Sequence, residues 1–86
     1  MDMKLHSHDF VETYSELVGF GLDRKTDENT VIYYLQKFSD DQLMNRLIPN
    51  LSDADLQEIF ELINRFLKDH LSDTEYHRLF LKEDHP

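Results

Sequence analysis

Apolar residues recur along this chain at spacings of three and four. The pattern is cleanest between residues 52 and 70, where Leu56, Ile59, Phe60, Ile63, Phe66 and Leu67 make one stripe that runs on to Leu71. Glu58, Glu61, Arg65 and Lys68 fall on the opposite side. On a spiral of about 3.6 residues per turn this is an amphipathic helix. Four weaker stripes accompany it. Phe10, Val11, Tyr14, Leu17 and Val18 predict a helix from Asp9 that Gly19 and Gly21 stop. Val31, Tyr34, Leu35 and Phe38 predict a second helix over Asp27 to Lys37. Leu43, Leu47 and Ile48 predict a third from Ser39 to Pro49, and Tyr76, Leu79 and Phe80 a last one from Ser72 to about Lys82. Residues Thr30 to Leu35 are β-branched and aromatic, so they also read as a strand. No second convincing strand exists to pair with it, and helix is the expectation.

One phrase recurs at the expected helix starts: Phe38-Ser39-Asp40-Asp41-Gln42-Leu43, Leu51-Ser52-Asp53-Ala54-Asp55-Leu56 and Leu71-Ser72-Asp73-Thr74-Glu75-Tyr76. In each, the serine hydroxyl can accept from a free backbone N–H, and the third residue after it can reach back to the serine N–H. The flanking apolar residues can pack on each other as a staple. Asp9 and Glu12 form a looser version at the first helix. The spacing between the three phrases is unequal, so they are recurring caps and not a structural repeat.

The expected joins, Phe38-Ser39, Pro49-Asn50-Leu51 and Leu71-Ser72, are very short and force sharp corners. The sequence therefore predicts an all-α fold: a compact orthogonal array of about five short helices with helix 4 (about 52–70) central. It predicts a single domain over 1–86, with residues 1–8 and 83–86 flexible.

Eighty-six residues suffice for one small core, and 40% of them are hydrophobic. Two glycines and two prolines are too few for a turn-rich β architecture. The chain contains no cysteine, which excludes disulfides, thiolate metal sites and a cysteine nucleophile and fits a reducing compartment. The first residues contain no apolar run, so neither a signal peptide nor a membrane span is expected, and the cytoplasm is the expected location. Eighteen acidic residues against nine basic give a net charge of −9. That field repels phosphate backbones and disfavours nucleic acid as a partner.

Chemistry-bearing groups are sparse. His6, His8 and Asp9 could together hold a divalent transition metal, since such ions accept nitrogen and oxygen ligands. His70 lies on the stripe of helix 4 in its last turn, where it can serve the free carbonyls and the negative end of the helix dipole. No serine or cysteine stands beside it to be activated. Asp40-Asp41 and Asp53/Asp55 pair carboxylates, but at helix N-termini such groups stabilise the dipole. Ser52-Asp53-Ala54-Asp55 lacks the central glycine of a calcium loop. Arg65 and Lys68 are too few for a DNA-reading helix.

Surface remains. Tyr33, Leu62 and Leu81 fall off the stripes of their own helices and are candidate partner-binding residues. The expectation is a small acidic non-enzyme without cofactors, acting as a protein-interaction or regulatory module toward a protein partner or a second copy of itself. The alternative is a small metal-binding protein using His6, His8 and Asp9.

Overall fold

Every helix opens with free backbone N–H groups, and side chains just upstream take them up at most of the starts. The computed structural model describes residues 5–83, and within them the regular structure is entirely helical. The helices are α1 (Asp9–Thr13), α2 (Arg24–Phe38), α3 (Asp41–Leu47), α4 (Asp53–His70) and α5 (Asp73–Glu75). A 3₁₀ turn over Ile48–Asn50 follows α3, and a π turn over Tyr76–Phe80 follows α5. Residues 30–35, which also read as a strand, lie inside α2.

Two of the three serine phrases cap as expected. Ser52 Oγ accepts from the Asp55 N–H at 3.1 Å while Asp55 accepts from the Ser52 N–H at 3.2 Å. Ser72 and Glu75 repeat the box at 3.1 and 2.8 Å. The third phrase shifts by one residue. Asp40 caps α3, taking the N–H groups of Gln42 and Leu43, while Ser39 closes α2 and donates its hydroxyl to the Gln36 carbonyl. A carboxylate is the stronger acceptor, and the serine is already used. Helix α2 starts three residues before the expected Asp27. Asp23 accepts from both the N–H and the hydroxyl of Thr26, and Arg24 pairs with Glu28 at 2.8 Å.

The chain groups into two units, Met1–Asn50 and Leu51–Pro86. In the first, α1 is much shorter than expected. Tyr14 is extended, stacks on Phe10 with ring centroids 4.9 Å apart, and donates its hydroxyl to the Leu17 carbonyl. Leu17 and Val18, expected on an inward face, are exposed.

From there the chain runs antiparallel along α2, held at regular intervals. His8 meets Ser39 at 2.6 Å, and Gln36 accepts from the Val11 N–H at 2.9 Å. Tyr14 packs on Tyr33 with centroids 6.0 Å apart. Thr30 accepts from the Gly19 N–H at 3.0 Å, and Asp27 from the Gly21 N–H at 2.8 Å. Asp27, Thr30, Tyr33, Gln36 and Ser39 recur every third residue, so they form one ridge along α2. This mostly polar ridge is the packed face, and its best-buried member is Thr30. Opposite it, Val11 of α1 is buried. The expected inward face of Val31, Tyr34 and Leu35 is open to solvent. Hydrogen bonds to irregular backbone, which has no ladder of its own to satisfy its N–H groups, have decided which side of α2 is covered.

The second unit is α4, α5 and the π turn. Ile59, Leu67, Leu71 and Tyr76 are half-buried, and no residue of α4 is fully buried. Tyr76 stacks on Phe80 at 5.4 Å. His77 Nδ1 lies 2.7 Å from Glu83 Oε1, and Lys82 takes a left-handed turn at φ 60°. The flexibility expected of residues 1–4 and 84–86 lies outside the described residues. Nearer the core, Glu12 accepts from the N–H groups of Leu5 and His6, both at 2.7 Å.

Candidate interaction surface

Helix α4 is the longest helix, with a capping box at its start and Lys68 and His70 in its last turn, where cations suit the dipole. Its polar back is internally satisfied. Gln57 donates to Glu61 at 3.0 Å, and Asn64 donates to the Phe60 carbonyl at 2.8 Å. Its apolar face is only partly covered, with Ile59 and Leu67 half-buried. Phe60 is 69% exposed, Phe66 50%, Ile63 44% and Leu56 39%. The burial expected of Phe60 and Ile63 is therefore not found. Arg65 lies over the Phe66 ring at 4.9 Å, and the His70 ring stands 6.2 Å from it. His70 thus sits at the end of the apolar stripe.

The three residues singled out from the sequence are not brought together. Leu62 and Leu81 are exposed, at 44% and 39%. Tyr33 is half-buried inside the first unit, between Tyr14 and Lys37, whose ammonium stands 5.2 Å from its ring centroid. A second apolar area lies on α2, where Phe20, Val31, Tyr34 and Leu35 line a shallow hollow. Much of what the sequence assigned to a core on α2 and α4 is thus surface, whereas Asp27, Thr30, Tyr33 and Gln36 of the polar ridge are at least half-buried.

His6, His8 and Asp9 do not gather into a ligand set, and His8 Nε2 is engaged by Ser39. Among the described residues no three histidine or carboxylate side chains stand close enough to hold a metal ion. The carboxylates with shifted titration owe it to helix capping and pairing. The Thr26 N–H and hydroxyl hold Asp23 below its ordinary value, the Arg24 guanidinium does the same for Glu28, and the Ser72 N–H and hydroxyl do so for Glu75. All three are structural groups, Asp23 and Glu28 exposed and Glu75 half-buried. No described helix is long and apolar enough to cross a membrane. No known protein family model matches the chain, and no curated protein or solved structure shows significant similarity to it.

Proposed function

We propose that this chain is a non-catalytic interaction module of the cytoplasm that works through a helical surface. One observation carries the reading: α4 is a well-capped 18-residue helix whose apolar face is open, with Phe60 at 69% exposure. Exposed apolar area of this kind favours association in water. Most helical stability in proteins comes from packing an amphipathic face. Leu62 and Leu81 extend the exposed apolar area of the same unit, whereas Tyr33 is better placed to hold α1 on α2.

The test is affinity capture from native cell extract with wild-type chain and the Phe60→Ser/Phe66→Ser variant as baits. The double variant is expected to lose a protein that the wild type retains, at unchanged circular dichroism. Equal capture by both would remove α4 from the binding surface.

A further inference from the structure

We draw no further inference here: the strongest candidate, the open part of the apolar face of α4 around Phe60, Ile63 and Phe66, carries nothing further because nothing in the structure shows what covers it.

Discussion

Replacing Thr30 by valine removes a hydroxyl and almost nothing else. Thr30 is 5% exposed, and its Oγ1 both accepts from the Gly19 N–H at 3.0 Å and donates to the Gly19 carbonyl at 3.1 Å. Valine has the same shape, so no cavity opens, but two backbone groups of Gly19 lose their partner. A typical intramolecular hydrogen bond contributes about 1 kcal/mol net, and an unsatisfied buried group costs up to about 3 kcal/mol. Gly19 is half-buried, so water recovers part of the loss, and a total of about 2 kcal/mol is expected for Thr30→Val. Thr30→Ser keeps both bonds and gives up one methyl group, worth roughly 0.8 kcal/mol. The order is diagnostic. A residue buried for its apolar surface would tolerate valine and suffer from serine, and here the reverse is expected. Urea unfolding followed by tyrosine fluorescence, which reports Tyr14 and Tyr33 in the same unit, measures both variants. A Thr30→Val chain as stable as the Thr30→Ser chain would refute the idea that hydrogen bonds select the packed face of α2.

Asp40→Ala is expected to cost about 1 kcal/mol and Ser39→Ala a few tenths, because Asp40 caps α3 and Ser39 does not; thermal melts of the pair decide it, and equal losses would restore the serine as the cap. Ser72→Ala is expected to cost about 1 kcal/mol and to lower the helix content of the second unit by circular dichroism; an unchanged signal would place the start of α5 elsewhere. Asp23 and Glu75 are held below their ordinary values by the N–H groups they accept from, so their contribution is present above those values, 3.8 and 4.5, and disappears as the pH falls through the depressed ones. Helix content is therefore expected to decline on acidification below about pH 4, and Asp23→Asn/Glu75→Gln should flatten that decline; an unflattened titration would assign it to other carboxylates.

Local signals were the legible part of this sequence. The all-helical class, the boxes at Ser52 and Ser72 and the extent of α4 each depend on residues within one turn of each other, and each is seen. Boundaries slipped where two candidate caps competed, as at Ser39 and Asp40, or where a long-range partner ended a helix early, as Tyr14 does for α1. The packed face of α2 was not legible from hydrophobicity, because its members are Asp27, Thr30, Tyr33, Gln36 and Ser39. A signal was present nonetheless. Five residues with hydrogen-bonding side chains at strict intervals of three make a helical ridge suited to an irregular strand of backbone. Tyr33 was singled out as lying off the apolar stripe, and that placement is correct; it lies on the polar ridge instead.

The two long helices carry opposite lessons about periodicity. On α2 the apolar residues Val31, Tyr34 and Leu35 repeat at helical spacing and yet face solvent, because the ridge beside them satisfies Gly19, Gly21 and Val11. The Val11 and Gly19 N–H groups are part-buried, and leaving such a donor unpaired costs more than exposing a valine. On α4 the polar back is already satisfied within the helix, by Gln57 with Glu61 and Asn64 with the Phe60 carbonyl, so nothing competes for its apolar side. A stripe at 3.6-residue spacing records that a face is disfavoured in water; it does not record whether the cover comes from the same chain or another.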